Sequence, residues 1–177
     1  MIIAKKEVVE IAHKLATSYN KKCQHIHGHS YHFEFYFESK TACALNDDGV
    51  VADFNVLKEI YKPILDNWDH SLLVSVHDDV FMNTLVQQMI HNGQCLRLCN
   101  FNPTAENMAY YLAGAVNKEI NKYKKYSRVK IVKVIVRETE TSYAEWIEND
   151  GFAYAYKLNI VSHNSHDCYL PKEKTLF

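Results

Sequence analysis

The sequence has no long hydrophobic run and no excess of charge of one sign. Its 20 Lys and Arg residues nearly balance its 21 Asp and Glu residues, which leaves a formal net charge of −1. This balance provides no electrostatic basis for binding DNA, RNA or an anionic membrane surface, so we expect neither a nucleic-acid nor a membrane partner. No stretch approaches the ~20 apolar residues of a membrane-spanning helix. The apolar run within residues 1–6 is too short for a secretory signal.

The sequence also lacks internal repeats and low-complexity linkers. With 177 residues, 47% of them hydrophobic and 23% charged, it has the size and composition of a globular domain with a buried core. We expect one domain over residues 1–150 and a C-terminal extension over 151–177. The five cysteines are odd in number and follow no secretory segment, so we expect reduced thiols and a cytoplasmic protein.

Hydrophobic periodicity predicts both strands and helices. Alternating or β-branched apolar residues predict strands, and apolar residues at helical spacing predict helices. Asp53 or Asn55 can cap the first long helix, and Thr104 can cap the second. The predicted strands cover residues 7–13, 29–39, 129–136, 143–147 and, after a turn at 149–151, 152–160.

The order of these elements is two strands, two helices, then two or three strands. Strands in this order pair as hairpins, which predicts an α+β fold with an antiparallel sheet. Residues 74–102 are hard to assign, apart from a short helix that is compatible with 80–90.

The most informative segment is residues 23–29, which read Cys-Gln-His-Ile-His-Gly-His. His27 and His29 stand at the start of the second predicted strand. Side chains two residues apart on a strand point to the same face, so both imidazoles can approach one metal ion. Cys23 lies before the strand, where its thiol can act beside a metal without binding it.

His13 closes the first predicted strand and completes a candidate metal site. In a hairpin, His13 faces His27 and His29 across the open end, where paired strands lie ~4.8 Å apart. Three imidazoles can then bind one Zn²⁺ and leave its fourth position open, which is typical of a catalytic zinc.

Two further patterns can carry acid–base or binding chemistry. Asp69 precedes His70 after the first predicted helix, and an adjacent carboxylate can orient an imidazole and raise its basicity. Glu138 follows a strand of Val and Ile residues, where a carboxylate can hold an amidine-like group through two parallel hydrogen bonds. Both patterns are also common as solvated chain ends, so the residues alone leave their roles open.

Taken together, these motifs resemble the 6-pyruvoyltetrahydropterin synthase / 6-carboxytetrahydropterin synthase family. The resemblance covers residues 7–147 and excludes the tail. Six blocks carry it, in this order: Ile11-Ala12-His13, Cys23 with His27-Gly28-His29, Gly49 to Phe54, Leu65 to His70, Pro103 to Asn107, and Arg137 to Trp146.

The resemblance implies a tunnelling fold (T-fold), in which a four-stranded antiparallel sheet carries two helices on one face. It also implies a homo-oligomer, usually a hexamer built from trimers, with active sites between subunits. The implied substrate is 7,8-dihydroneopterin triphosphate.

The resemblance also implies roles at the reacting end of the substrate. His13, His27 and His29 would bind Zn²⁺, which makes the protons beside the substrate hydroxyls more acidic. Cys23 would act as a base in its thiolate form, which a nearby cation favours.

Further implied roles concern the second base and the pterin. Asp69 and His70 would form a second proton-transfer unit that faces Cys23 from a neighbouring subunit. Glu138 would anchor the amidine-like edge of the pterin, helped by Thr104 and Glu106.

The spacing between Cys23 and His27 favours one branch of the family. Three residues separate them, which resembles the bacterial 6-carboxy-5,6,7,8-tetrahydropterin synthase of queuosine (7-deazaguanine) biosynthesis. That activity releases acetaldehyde and triphosphate. A folate-related branch has a glutamate where this chain has Gln24, and an amide cannot act as a base.

Three alternatives remain open from the sequence. The first is pyruvoyl-forming chemistry on the same substrate. The second is a zinc hydrolase, which needs a carboxylate near the metal; strand alternation puts Glu34 and Glu38 on the opposite face. The third is a zinc-stabilised binding module without catalysis. We assign no role to the residues of the tail that could bind a second metal, which are His163, His166 and Cys168.

Overall fold

The computed structural model describes residues 1–16, 18, 20–41 and 44–160. This part of the chain contains one six-stranded sheet, three α-helices and short 3₁₀ turns. The strands are β1 Ile2–His13, β2 His27–Ser39, β3 Ser71–Ser75, β4 Leu96–Cys99, β5 Val129–Arg137 and β6 Tyr143–Ile147. The helices are α1 Phe54–Asp66, α2 Val80–His91 and α3 Ala105–Lys122.

The sheet has the strand order β4-β3-β1-β2-β5-β6. Strands β1, β2, β5 and β6 pair in antiparallel fashion, as the sequence predicted. Strands β3 and β4 extend the sheet beyond β1 and run parallel to it. The α+β class is therefore confirmed, but the prediction of a purely antiparallel sheet with four strands is wrong in both respects.

The two extra strands were missed because they carry no alternating pattern. All five residues of β3 and three of the four in β4 are buried. A strand that is covered on both faces has buried residues at successive positions, so its period does not distinguish it from a buried helical segment.

Helices cover both faces of the sheet. Helices α1 and α3 pack on the face that carries Tyr31, Phe33 and Phe35, and together they form the main core. Helix α2 packs on Leu72 and Val74, whose side chains point away from that core into a second apolar cluster. The expectation of two helices on one face holds for α1 and α3, and α2 is an addition on the other face.

The N-terminal caps of α1 and α3 follow the sequence prediction. The Asp53 carboxylate accepts the Asn55 N–H at 2.6 Å, and the Thr104 hydroxyl accepts the Asn107 N–H at 3.3 Å. Such caps satisfy backbone donors that have no partner within the helix.

The predicted strand over residues 152–160 is not formed. The chain instead makes a 3₁₀ turn at Ala155–Lys157, and Ile160 forms an isolated bridge with Cys99. The alternating aromatic residues of this segment pack on other elements: the Phe152 ring lies 4.7 Å from the Trp146 ring, and the Tyr154 hydroxyl donates to Asn107. The tail residues His163, His166 and Cys168 lie outside the described residues.

Among the helices of the described ranges, none combines the length and the apolar character needed to cross a membrane.

Candidate metal centre and active site

The antiparallel pairing of β1 and β2 brings three histidines together. His13 is the direct partner of His27, and Ile11 is the partner of His29. All three imidazoles lie on the face that carries Tyr31, with ring centroids 4.4 to 5.5 Å apart. The Nε2 atoms of His13 and His27 are 3.1 Å apart.

Hydrogen bonds at the far side of two rings orient them for metal binding. His13 Nδ1 donates to the Pro103 carbonyl at 2.8 Å, and His27 Nδ1 donates to the His25 carbonyl at 2.8 Å. A carbonyl only accepts, so Nδ1 carries the hydrogen in both rings and a neutral ring presents the Nε2 lone pair. Two such lone pairs 3.1 Å apart repel each other unless a cation or a proton lies between them.

His29 provides the third nitrogen. Its Nε2 atom is buried and has no hydrogen-bond partner among the described residues. Burial lowers the pKa of His29, the Glu138 carboxylate raises it, and electrostatic interaction with His13 and His27 lowers it again. A buried neutral imidazole with a free lone pair is suited to binding a metal.

Glu138 also lies at this cluster, although the sequence had indicated only a role in binding substrate. Its Oε1 atom is 3.2 Å from His13 Nε2 and 3.5 Å from His29 Nε2. The contact with His13 and a hydrogen bond from Tyr31 lower the pKa of the Glu138 carboxyl to about 2, despite its partial burial. The ligand atoms of Glu138 and the three histidines all lie within 4.8 Å of one another.

Cys23 is tied to the metal end of β1. It lies in a 3₁₀ turn, Lys21–Gln24, and its carbonyl accepts the N–H of Leu15 at 2.9 Å. Its thiol is free and half-buried. The structure places Cys23 off the strand, as the sequence predicted, and the backbone bond to Leu15 joins its turn to the chain just after His13.

The residues expected to bind the pterin line one cavity. Thr104, Glu106 and Glu138 meet there, together with Leu15 and Ser142, around a volume of about 260 Å³. Thr104 and Glu106 belong to the N-terminus of α3, and Glu138 follows β5. The structure therefore brings these three residues together, beside the histidine cluster.

Asp69 and His70 lie elsewhere on the same chain. Asp69 Oδ1 is 3.0 Å from His70 Nδ1 and accepts the Glu10 N–H, while the His70 N–H donates to the Glu10 carbonyl. The His70 side chain is 77% exposed. It lines a cavity of about 440 Å³ with Glu10, Ser30 and part of His29. Glu10 and Ser30 point away from the sheet face that carries the three imidazoles, so the two groups open on different faces of the sheet.

The other acidic candidates for the metal site behave as strand alternation predicted. Glu34 is buried on the opposite sheet face, where Arg137 donates to it at 2.9 Å and Tyr36 at 2.7 Å. Burial favours a raised pKa, but the hydrogen bonds from Tyr36, Arg137 and Lys6 lower the pKa of Glu34 to about 2. The carboxylate that the structure places at the histidine cluster is Glu138, which the sequence analysis had not considered for a role at the metal.

The position of Glu138 at the candidate metal site follows from the register between β2 and β5. Strands β2 and β5 pair Phe33 with Val136, so continuing this register places Tyr31 opposite Glu138. Tyr31 shares a face with His27 and His29, and the Tyr31 hydroxyl donates to Glu138 Oε1 at 3.0 Å. Nothing in the sequence fixes how β2 and β5 align, so this contact could not be predicted.

A sheet that presents three imidazoles and a carboxylate beside a cavity defines an α+β protein with a candidate metal site. The donor set matches the preference of Zn²⁺ for imidazole nitrogen and carboxylate oxygen. The family model described as 6-pyruvoyl tetrahydropterin synthase matches residues 2–149. The protein belongs to this family, as the sequence motifs had predicted.

Curated relatives agree with this assignment. The 6-carboxy-5,6,7,8-tetrahydropterin synthase of Aquifex aeolicus is 32% identical over 127 residues, which cover 72% of this chain and 76% of the relative. The enzyme of the same name from Rickettsia bellii is 32% identical over 109 residues, or 61% of this chain and 75% of the relative.

Solved structures confirm the tunnelling fold. An uncharacterised protein from Wolinella succinogenes superposes with a TM-score of 0.68 at 21% identity, covering 83% of this chain and 97% of the other. The 6-pyruvoyl tetrahydropterin synthase of Caenorhabditis elegans superposes with a TM-score of 0.57 at 20% identity, covering 83% and 94%.

Proposed function

We propose that this protein converts 7,8-dihydroneopterin triphosphate to 6-carboxy-5,6,7,8-tetrahydropterin with release of acetaldehyde and triphosphate. The reaction would be that of a zinc-dependent lyase in queuosine (7-deazaguanine) biosynthesis. The observation that carries the proposal is the convergence of three imidazoles at the ends of β1 and β2, next to the cavity lined by Thr104, Glu106 and Glu138. The names of the curated relatives support the 6-carboxy product.

His13, His27 and His29 would hold the zinc ion. Bound there, Zn²⁺ would act as a Lewis acid on the side-chain hydroxyls of the substrate. The protein contributes the orientation of the rings, since the carbonyls of Pro103 and His25 accept the Nδ1–H groups of His13 and His27. Glu138 belongs both to the cluster and to the lining of the cavity, so a substrate in the cavity would lie next to the cluster.

Cys23 would be the first base. Its thiol is half-buried and free, and the bond between its carbonyl and Leu15 holds it near the end of β1. Redistribution of protons along the substrate side chain needs a base on each side of the carbon framework.

Asp69 and His70 would provide the second proton-transfer unit. Because they open on a different face of the sheet, they would serve the cluster of a neighbouring subunit in a homo-oligomer, which we expect to be a hexamer. The His70 backbone is left-handed (φ +54°), and its N–H donates to the Glu10 carbonyl. This backbone conformation places the exposed ring at the edge of the 440 Å³ cavity that Glu10 and Ser30 also line.

The pterin would lie in the cavity at the N-terminus of α3. The Glu138 carboxylate, ionised at neutral pH because its pKa is about 2, would accept hydrogen bonds from the amidine-like edge. Thr104 and Glu106 would provide further polar contacts. Leu15 would pack against the bicyclic ring as an apolar wall.

The test is incubation of the zinc-loaded protein with 7,8-dihydroneopterin triphosphate, followed by mass spectrometry of the pterin and an acetaldehyde assay. We expect 6-carboxytetrahydropterin and acetaldehyde in equal amounts. Loss of triphosphate without acetaldehyde would instead identify pyruvoyl-forming chemistry. Absence of any product from the loaded oligomer would favour a binding module.

A matched pair of cysteine variants tests the assigned base. Cys23→Ala should lose turnover by 10²-fold or more, on the order of what a positioned base contributes, while it retains zinc. Cys95→Ala removes another half-buried thiol and should retain turnover. Loss of zinc from Cys23→Ala would make the thiol a ligand and would contradict its assignment as a base.

A further inference from the structure

The position of Glu138 is that of a fourth metal ligand. In a tetrahedral site with metal–ligand distances of ~2.0–2.1 Å, neighbouring ligand atoms lie ~3.4 Å apart. The separation of His13 Nε2 from His27 Nε2 is 3.1 Å, and Glu138 Oε1 lies 3.2 Å from His13 Nε2 and 3.5 Å from His29 Nε2. These three separations match the edges of such a tetrahedron.

Tyr31 holds the Glu138 carboxylate in this position. The Tyr31 side chain is fully buried, and its hydroxyl lies 3.0 Å from Glu138 Oε1 and 3.2 Å from His13 Nε2. Its ring packs edge-on against the rings of His13 and His29 and stacks on Phe33. Since a phenol has a single proton, the bond to Glu138 gives this hydroxyl one defined orientation.

We propose that Glu138 occupies the fourth coordination position of the metal while no substrate is bound, that Tyr31 positions its carboxylate there, and that this carboxylate leaves the metal when the substrate hydroxyls arrive. The nature of the incoming ligand rests on the proposed function. The ligation by Glu138 does not, because it follows from the distances within this chain.

This exchange would couple binding of the pterin to release of the fourth coordination position of the metal. A carboxylate that forms two parallel hydrogen bonds with an amidine-like edge accepts one at each oxygen. Each carboxylate oxygen has two acceptor sites, and the Tyr31 hydroxyl already occupies one of those on Oε1, so Oε1 cannot accept a pterin N–H and bind the metal at the same time. Binding of the pterin in the cavity therefore frees the fourth position just when the substrate hydroxyls are close to it. Without substrate, the carboxylate keeps that position closed to other ligands.

Replacement of zinc by Co²⁺ tests the ligation without any turnover, because the visible spectrum of Co²⁺ reports its ligands. We expect Glu138→Gln to change the spectrum of the substrate-free protein and to weaken Zn²⁺ affinity about tenfold or more, measured by competition with a chromogenic chelator. Glu106→Gln is the matched control: it lines the same cavity but does not belong to the histidine cluster, so its spectrum should equal that of the wild type.

Tyr31→Phe tests the positioning role, since it retains the ring and removes only the hydroxyl. It should shift the Co²⁺ spectrum in the same direction as Glu138→Gln and raise KM more than it lowers kcat. It also keeps the test decisive if Glu138→Gln fails to fold. An unchanged Co²⁺ spectrum in Tyr31→Phe would remove Tyr31 from the proposal.

Addition of 7,8-dihydroneopterin, which carries the side-chain hydroxyls, provides the last comparison. The wild-type Co²⁺ spectrum should change on addition, as the carboxylate leaves. Identical substrate-free spectra for wild type and Glu138→Gln would overturn ligation by Glu138. If these spectra differ but the zinc protein does not convert the triphosphate substrate, the proposed function fails while the ligation by Glu138 stands.

Discussion

A buried ion pair joins the end of β1 to the loop that follows β3, and its removal should strongly destabilise the protein. The Lys14 ammonium lies 2.5 Å from Asp78 Oδ1, and the two side chains are 10% and 2% exposed. Lys14 directly follows the candidate metal ligand His13. Asp78 belongs to the β3–α2–β4 unit that extends the antiparallel sheet. This pair therefore connects the added unit to the candidate metal centre.

The expected magnitude follows from the burial of the pair. Asp78→Ala removes the nearer carboxylate from the buried Lys14 ammonium and leaves it Asp79 Oδ2, 4.0 Å away on a side chain that is 63% exposed. Because solvent weakens that second contact, we expect a cost of about 3 kcal/mol, the lower end of the range for breaking a buried pair. Replacing both charges, as in Lys14→Met/Asp78→Leu, removes the unpaired charge and should recover most of this loss. The free energy of unfolding from urea titration of the three proteins measures both effects.

The matched control is the exposed pair of Lys62 and Asp66, four residues apart on α1 and 2.7 Å between charged atoms. Asp66→Ala should cost less than about 1 kcal/mol, since solvent screens this pair. If Asp78→Ala costs no more than Asp66→Ala, or if the double variant is as unstable as Asp78→Ala, the argument from burial is refuted. A loss of zinc affinity in Asp78→Ala, with the fold retained, would further show that the pair orients His13.

Two further predictions use the remaining buried groups. The pKa of Glu34 is about 2 in the folded protein against 4.5 as its ordinary value, so its contribution of about 3 kcal/mol is present above pH 4.5 and is lost as the pH falls toward 2. As the pH is lowered from 4.5 toward 2, the free energy of unfolding should therefore decrease less steeply for Glu34→Gln than for the wild type. Parallel curves for the two proteins would contradict this. Burial raises the pKa of Cys99 to about 12, and its sulfur lies 3.3 Å from the Val74 carbonyl and 3.1 Å from the Phe101 carbonyl, either of which can accept its one hydrogen. Native alkylation at pH 8, followed by mass spectrometry, should thus leave Cys99 unmodified while Cys23 reacts, and equal labelling of the two would refute the assignment.

Local sequence determined the elements whose signals are short-ranged. Alternation along β2 placed Phe33, Phe35 and Phe37 on the core face, because the side-chain period of a strand is two. The same rule placed His27 and His29 on one face. The caps at Asp53 and Thr104 were readable because a capping side chain bonds to a backbone N–H only two or three residues away.

Tertiary structure alone decided the features that depend on distant parts of the chain. Strand β3 joins the sheet by pairing with β1, and β4 pairs with β3. Neither strand shows the alternation of exposed and buried residues from which a strand could have been predicted. The segment after Gly151 alternates like a strand, yet Phe152 and Tyr154 pack on Trp146 and on α3 instead of joining the sheet.

The carboxylate at the metal cluster illustrates the same division. The sequence determined that Glu138 ends a strand, and it determined that Tyr31 shares a face with His27 and His29. Only the register between β2 and β5 places the Tyr31 hydroxyl 3.0 Å from Glu138 and brings that carboxylate to the imidazoles. Register depends on the packing of whole strands against a common core, which no local pattern records.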